Sequence, residues 1–333
     1  MKTKAILFAS LASALAACCW QLRQQSQLPS LARSDESVSL EALLKTPPAE
    51  LESFDVAHLN MACSVGLIGS EGLDIRSLLT VLAQWSERVR LETDRCWRLY
   101  HSKPGDFQNS SEIYRMTILG AVLQQDFGVG YNPQRVTAAG VFESNSVFFA
   151  DSRDVFLHGL LAGSRQGTCS SLPVLYLAVG RRLGYPLNLV PTKGHLFVRW
   201  EDAGKRFNVE CTSRGVCIYD DGHYRQWPVP LEADEEESGY LKSLTAVETL
   251  AVFMNLRGHC LLASGRIDEG LKAHLTAAQL APESPICRQV LAEAQTEQRQ
   301  KTERVRWSKA LPLPASPARR SVDPNPLNQV QNP

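Results

Sequence analysis

The stretch Gly167-Thr-Cys-Ser-Ser-Leu-Pro-Val-Leu-Tyr-Leu-Ala-Val-Gly-Arg-Arg-Leu-Gly184 predicts a helix with a cysteine at its beginning. Its apolar residues recur at helical spacing, at Leu172, Leu175, Val179 and Leu183. Pro173 fits only the first turn of a helix, and Gly184 is a common stop signal. Cys169 therefore lies at or just before the helix N-terminus, where exposed N–H groups and the helix dipole favour a thiolate and can hold an oxyanion.

Two predicted strands follow this helix and carry a histidine and a glutamate. The alternation of side chains runs over residues 195–200 and again over 206–212, on either side of a predicted hairpin loop at 201–204. If Trp200 faces Lys205 across that loop, His195 lies directly opposite Glu210, with β-carbons about 4.5–5.5 Å apart. The glutamate is then placed to orient the imidazole while the histidine deprotonates the cysteine.

This order of cysteine, histidine and acid resembles the transglutaminase-like superfamily of cysteine enzymes, and more closely its SirB1-like branch. The resemblance implies an α+β fold with a papain-like or transglutaminase-like core, in which a cysteine-capped helix packs on an antiparallel sheet. A helical N-terminal region and a C-terminal helical hairpin flank that core. The resemblance also implies Cys169 as nucleophile, His195 as base and Glu210 as orienting acid. Many members of the superfamily have aspartate at the third position, and the longer Glu210 side chain can still reach.

Two further polar residues precede the cysteine. Gln166 is a candidate to complete an oxyanion hole, as amide side chains do in several cysteine enzymes; the alternative is a solvated loop glutamine. His158 is a candidate second active-site histidine, but a structural role on a helix face is favoured because Cys169 already has His195 as a partner.

The composition narrows the classes of function. The chain has 333 residues and a formal net charge of zero, so nothing indicates a nucleic-acid partner. Its 44% hydrophobic and 21% charged residues are ordinary for a globular protein. The spacing of Cys211, Cys217 and His223 matches no zinc template. The sequence therefore predicts neither a metal nor a cofactor.

Residues 1–19 have the pattern of a signal peptide. A short basic region precedes the apolar run Ala5–Ala17, which is too short for a membrane span. The run ends in Leu15-Ala16-Ala17-Cys18, which resembles a bacterial lipobox and predicts a lipid on Cys18; an ordinary signal peptide is the alternative. With residues 20–38 as a polar tether, the sequence predicts an exported lipoprotein, anchored to the membrane of the bacterial cell envelope and facing the periplasm. Seven cysteines remain beyond this segment, so full pairing leaves at least one thiol free.

The rest of the chain divides by pattern and composition. Residues 39–230 are assigned to the transglutaminase-like domain, including helical patterns from Ser39 to about Gln125 and a loop at Phe127-Gly-Val-Gly-Tyr-Asn-Pro133. The acidic, proline-flanked segment 231–249 is a linker, residues 250–300 resemble one tetratricopeptide unit, and residues 301–333 are predicted to be disordered. One such unit cannot bury its own apolar face, so packing on the enzyme domain is favoured over a platform for a protein partner.

Two classes of function fit these patterns. The first is an exported cysteine enzyme that performs acyl transfer on amides of a protein or peptide substrate through a thioacyl intermediate, as a protease, an amidase or a transglutaminase. The second is a non-catalytic binding or scaffolding lipoprotein that keeps the same fold. The three site residues are intact, which favours the enzyme.

Overall fold

The computed structural model describes residues 38–135, 145–202, 204–237 and 239–310. The chain divides into two compact units, residues 1–294 and 295–333. Every element discussed below lies in the first unit, except the last helix, which continues into the second. The predicted signal peptide with Cys18, nearly all of the predicted tether and residues 311–333 lie outside the described residues. None of the helices in these ranges is long and apolar enough to cross a membrane.

Helices, a four-stranded antiparallel sheet and a short parallel pair of strands make up the described part of the first unit. The helices are α1 (Leu40–Lys45), α2 (Pro48–Leu51), α3 (Val56–Ser64), α4 (Ile75–Arg95), α5 (Trp97–Ser102), α6 (Ser111–Ala121), α7 (Asn145–Phe148), α8 (Ser152–Val155), α9 (Leu157–Gly159), α10 (Leu172–Arg182), α11 (Asp221–Tyr224), α12 (Ala233–Glu237), α13 (Ala246–Ala263), α14 (Ile267–Leu280) and α15 (Pro285–Ala310). The strands are β1 (Gly130–Tyr131), β2 (Gln166–Gly167), β3 (Leu187–Thr192), β4 (His195–Asp202), β5 (Lys205–Glu210) and β6 (Cys217–Tyr219). This composition confirms the predicted α+β fold.

Helix α10 is the centre of the core. Its residues from Leu172 to Gly180 are all buried, because the segment is apolar around its whole circumference and must be covered on every side. Helices α3 and α4 pack on it together with strands β3 and β4. The helix ends where the sequence predicts, and Gly184 follows with a φ of +74° that suits glycine. The predicted packing of this helix on an antiparallel sheet is confirmed.

Strands β3, β4, β5 and β6 form the antiparallel sheet in that order. The observed register pairs Asp202 with Lys205 and Trp200 with Phe207, so the sequence-based pairing of Trp200 with Lys205 is wrong by two residues. Strand β4 runs through residues 201 and 202, which the sequence assigned to the loop. A shift of two residues leaves every side chain on its predicted face, because strand side chains alternate with a period of two.

The C-terminal hairpin of α13 and α14 packs against the core, as the sequence favours. Helix α13 begins at Ala246, within the predicted linker, where Thr245 and Glu248 form a capping box. It lies against α3: the sulfur atoms of Cys63 and Met254 are 3.9 Å apart. The Arg257 guanidinium also donates to the Cys63 carbonyl at 2.8 Å. The apolar face of the hairpin is therefore covered within the first unit.

The end of α15 departs from the predicted boundary. The sequence predicts disorder from residue 301, but α15 continues to Ala310. Residues 290–310 contain no glycine or proline and are rich in Ala, Glu, Gln, Arg and Lys, which all have high helix propensity. Residues 301–310 are therefore helical where the sequence predicted disorder.

A buried arginine ties the sheet to helix α11. Arg199 on β4 is 1% exposed, and its guanidinium donates to the Asn208 side chain at 2.7 Å and to the Leu241 carbonyl at 2.9 Å. It also forms an ion pair with Asp221 at 2.7 Å. Arg206 reaches the same carboxylate at 2.9 Å from the solvent side, with half of its side chain exposed. Asp221 is the first residue of α11, so the buried pair fixes where that helix begins.

The two arginines on Asp221 provide a matched pair of variants. Arg199→Met leaves a partly buried carboxylate and a buried amide without their main partner, so we expect the free energy of unfolding to fall by about 3 kcal/mol. Arg206→Met breaks an exposed pair and should cost less than about 1 kcal/mol. Urea unfolding followed by tryptophan fluorescence measures both. Equal losses in the two variants would contradict a structural role for the buried pair.

Candidate active site

Cys169 lies in the turn that leads into α10, as predicted. The turn is held by the Thr168 hydroxyl, which donates to the Asp154 carbonyl at 2.7 Å, and by the Thr168 N–H, which donates to the Ser171 hydroxyl at 3.0 Å. The cysteine is 7% exposed. Its sulfur lies 3.9 Å from the carbonyl oxygen of Gly194, the residue before His195. The chain reversal between β3 and β4 thus brings the start of β4 to the cysteine.

His195 and Glu210 are in direct contact within the protein. The imidazole Nε2 lies 2.9 Å from Glu210 Oε2, with the His195 side chain fully buried and the Glu210 side chain 4% exposed. Their predicted position directly opposite each other is wrong: Val198 pairs with Val209, so His195 and Glu210 are offset along the strands. Both still face the same side of the sheet. A diagonal neighbour lies about 7–8 Å away, and a glutamate side chain is long enough to span that separation.

Three further donors surround the Glu210 carboxylate. Oε1 accepts from the Thr212 N–H at 2.8 Å and from the Thr212 hydroxyl, and Oε2 also accepts from the Tyr224 hydroxyl at 3.2 Å. Burial acts to raise the pKa of Glu210. The hydrogen bond and charge of His195 and the bonds from Thr212 outweigh it, so the pKa of Glu210 lies below its ordinary value. Glu210 is therefore an ionised carboxylate at neutral pH.

The ionised carboxylate fixes the tautomer of a neutral His195. A carboxylate only accepts hydrogen bonds, so Nε2 must carry the proton that it donates to Glu210. The other ring nitrogen, Nδ1, then has a free lone pair. This Nδ1 is buried and makes no hydrogen bond to any part of the chain that the structure describes. His195 is thus held with an unused basic nitrogen in the interior of the site.

The Cys169 thiol is protonated in this arrangement, contrary to the expectation that its position favours a thiolate. Burial raises the pKa of Cys169 to about 12, and the negative charge of Glu210 adds to that effect. A backbone hydrogen bond lowers the pKa, but burial outweighs it. Nucleophilic attack by this thiol would require a base to remove its proton, and the Nδ1 of His195 is a chemically suitable group.

Aromatic side chains from the segment after β6 cover His195. Trp227 meets the imidazole edge-on, with ring centroids 4.6 Å apart, and Tyr224 stacks on Phe197 at 3.7 Å. Tyr219 and His223 stack on each other at 4.0 Å and are partly exposed. The sequence pattern assigned no role to Tyr224 or to Thr212. The one signal in the sequence was the spacing of two residues between Glu210 and Thr212, which places both on the same face of a strand.

The other sequence candidates lie apart from this hydrogen-bonded pair. Gln166 on β2 is exposed, and its backbone N–H donates to the Ser164 hydroxyl at 3.2 Å. His158 is buried, with Nε2 at 3.2 Å from both the Ser152 hydroxyl and the Gly69 carbonyl. These contacts give His158 the structural role that the sequence favours.

The cysteine and acidic side chains of the described residues form neither a disulfide nor a metal-binding cluster. All seven cysteines in the described residues are free thiols: Cys63, Cys96, Cys169, Cys211, Cys217, Cys260 and Cys287. Within the same residues, no group of three or more histidine, cysteine, aspartate and glutamate side chains is arranged to hold a metal ion. The arrangement that remains is a thiol, a base and an orienting carboxylate, which together can perform nucleophilic acyl transfer.

The raised pKa of Cys169 predicts how the free protein reacts with iodoacetamide. The rate at Cys169 should be low at neutral pH and should keep rising to at least about pH 9, because little thiolate forms below the pKa. Peptide mapping by mass spectrometry measures the rate, and labelling of the fully buried Cys63 marks any unfolding. A plateau near neutral pH would instead mean that a thiolate–imidazolium pair already exists.

Known proteins provide an independent comparison. No curated protein sequence matches the chain significantly. Among solved structures, the chain is similar to a crystal structure of menin that reveals the binding site for Mixed Lineage Leukemia (MLL) protein. The identity is 13%, the coverage is 80% of this chain and 68% of that chain, and the TM-score is 0.32. A TM-score this low supports no inference about the chain.

The family comparison covers the site itself. A model of the transglutaminase-like superfamily matches residues 78–245, which is just over half of the 333 residues. The match includes most of α4, all of α10 and the whole four-stranded sheet, so Cys169, His195 and Glu210 all lie within it. The chain therefore belongs to the transglutaminase-like superfamily.

Proposed function

We propose that the protein is an exported, lipid-anchored cysteine enzyme that transfers acyl groups from amide substrates. The observation that carries the proposal is the buried His195–Glu210 pair, with a bond of 2.9 Å, at the point where Gly194 contacts Cys169. Glu210 is held ionised and orients the imidazole, and the free Nδ1 is left as a base. A buried carboxylate is costly to desolvate, and acyl transfer gives this hydrogen-bonded pair a use.

In the proposed reaction Cys169 is the nucleophile. Its sulfur attacks an amide carbonyl while Nδ1 of His195 takes the thiol proton, and Glu210 stabilises the resulting imidazolium. The proton then passes to the leaving amine, and the acyl group remains on sulfur as a thioester. Transfer to water makes the protein a protease or amidase, and transfer to an amine makes it a transglutaminase. Gln166 remains a candidate donor to the oxyanion.

The aromatic surface beside His195 fits a protein or peptide substrate. Trp227 is partly exposed and lies edge-on to the imidazole, and Tyr219 and His223 extend the same surface. Aromatic groups bury large areas at low entropic cost. A peptide bound at Cys169 would contact this surface with its side chains or its backbone.

Acylation by p-nitrophenyl acetate tests the proposed chemistry without knowledge of the natural substrate. Wild-type protein should release p-nitrophenol and carry a thioacetyl group on Cys169, found by peptide mapping. Cys169→Ala should lose both signals. Cys96→Ala, which removes a half-buried thiol at the C-terminal end of α4, should retain them. A wild type that folds but never carries the acyl group on Cys169 would support the non-catalytic binding or scaffolding alternative.

The proposed location rests on the N-terminal segment, which lies outside the described residues. We propose that Cys18 carries a lipid that anchors the protein to the bacterial cell envelope, where it faces the periplasm. Metabolic labelling with an alkyne fatty acid should mark the wild type and leave Cys18→Ser unmarked. Equal labelling of the two proteins, or none of the wild type, would refute the anchor.

The C-terminal helices complete the proposal. We propose that the chain belongs to the SirB1-like branch and that α13 and α14 are a tetratricopeptide-like unit. Their packing on α3 through Cys63, Met254 and Arg257 supports a structural role for the hairpin. Binding of a protein partner by these helices is the alternative.

A further inference from the structure

Tyr131 has a buried hydroxyl that the proposed mechanism does not yet use. Its oxygen is shielded from solvent and makes no hydrogen bond to the described residues, although its ring packs against the core. A phenylalanine would make the same ring contacts without burying an unpaired polar group. Buried polar groups in proteins are almost always paired, so an exception calls for a functional explanation.

The backbone places Tyr131 next to the cysteine turn. Strand β1 pairs with β2 in parallel, with Tyr131 beside Gly167, two residues before Cys169. The Gly130 N–H donates to the Arg165 carbonyl at 3.0 Å, and the Asn132 N–H donates to the Gly167 carbonyl at 2.8 Å. The sequence predicted a loop here, because a strand of two residues has no alternation to detect.

Asp154 holds the same two segments together from one side. Its carboxylate accepts from the Asn132 amide at 3.0 Å and from the Arg135 guanidinium. Its backbone carbonyl accepts from the Thr168 hydroxyl at 2.7 Å. The residues that follow Tyr131 and the residue that precedes Cys169 are thus fixed to a common point. This arrangement gives the Tyr131 hydroxyl a defined position relative to the thiol.

The electrostatic surroundings keep the phenol protonated. Burial raises the pKa of Tyr131 first, and the nearby Cys169, Glu210 and Asp154 side chains raise it further. Two of these neighbours, Cys169 and Glu210, belong to the proposed site. The hydroxyl therefore stays a donor within electrostatic range of the thiol, and the described residues offer it no acceptor.

We infer that Tyr131 is a catalytic residue that donates a hydrogen bond to the oxyanion formed when Cys169 attacks a carbonyl. The inference rests on the proposed acyl transfer and adds a specific donor to it. A donor positioned before the reaction stabilises the charge that develops in the transition state, at no cost of reorganisation. The natural partner of the unpaired hydroxyl is thus an atom of the substrate.

The step balances without any further reactant. The thiol proton moves to Nδ1 of His195, the sulfur electron pair forms the S–C bond, and the carbonyl π pair moves onto oxygen. Tyr131 donates a hydrogen bond to that oxygen and keeps its proton. When the carbonyl re-forms, the bond to the leaving group breaks, and the leaving group takes its electron pair and the proton from His195.

Two reactions of the same thiol separate this role from a structural one. Acylation by p-nitrophenyl acetate passes through an oxyanion, whereas alkylation by iodoacetamide does not. In Tyr131→Phe we expect the acylation rate constant of Cys169 to fall about 10²-fold, with the loss in kcat rather than in KM. The alkylation rate constant should stay within about twofold, because the thiol and His195 are unchanged.

A second tyrosine provides the matched control. Tyr114 is also buried, but its hydroxyl donates to the Thr93 carbonyl at 2.6 Å. Tyr114→Phe should lower the melting temperature, because the hydrogen bond that its hydroxyl donates to Thr93 is lost. It should leave the acylation rate unchanged. Tyr131→Phe should not lower the melting temperature, because its hydroxyl has no partner to lose.

Three outcomes would overturn the inference. Equal losses of acylation and alkylation in Tyr131→Phe would mean that the hydroxyl only positions the thiol. An unchanged acylation rate in Tyr131→Phe together with a large loss in Gln166→Ala would assign the donor role to the glutamine. A wild type that is alkylated but never acylated at Cys169 would refute the proposed function, and the role of Tyr131 with it, whereas the first two outcomes leave acyl transfer intact.

Discussion

The buried carboxylate of Glu210 is the constraint on which the rest of the site depends. A negative charge with only 4% of its side chain exposed is stable only if donors surround it. His195, Thr212 and Tyr224 supply those donors from a neighbouring strand, from the residues directly after β5 and from helix α11. The hydrogen bond from His195 helps to stabilise the buried charge of Glu210. The same hydrogen bond orients the imidazole.

The Glu210 carboxylate also accounts for the buried ion pair of Arg199 with Asp221 at the start of α11. Tyr224 reaches Glu210 only if α11 begins where it does, and α11 is fixed by Asp221 and the buried Arg199. The Thr192 hydroxyl donates to the Tyr224 carbonyl at 2.9 Å and fixes the far end of the same short helix. A helix of four residues has little stability of its own. These polar contacts supply the stabilisation that a longer helix would gain from its own hydrogen bonds.

The neutral thiol gives the site a specific chemical character. Cys169 lies against a carbonyl oxygen and close to a carboxylate, and burial removes the water that would solvate a thiolate. In the proposed reaction the proton is therefore transferred during attack, because the free site holds a thiol rather than a thiolate. In an oxidising compartment a protonated, buried thiol also resists oxidation better than an exposed thiolate.

The sequence by itself determined the central helix, the two strands that follow it and the side chains of those strands that share a face. The apolar run from Leu172 to Gly180 requires a buried helix, and the alternation around His195 and Glu210 places both on one side of a sheet. Local pattern contains no information about how far one strand slides along the next, so the offset of two residues between β4 and β5 was decided by tertiary packing. Tertiary structure alone also brought the Tyr224 hydroxyl to Glu210 and the strand of Tyr131 to the segment before Cys169, and it alone set the protonation of Cys169. Desolvation depends on all the groups that surround a side chain in three dimensions, and no local sequence pattern records them.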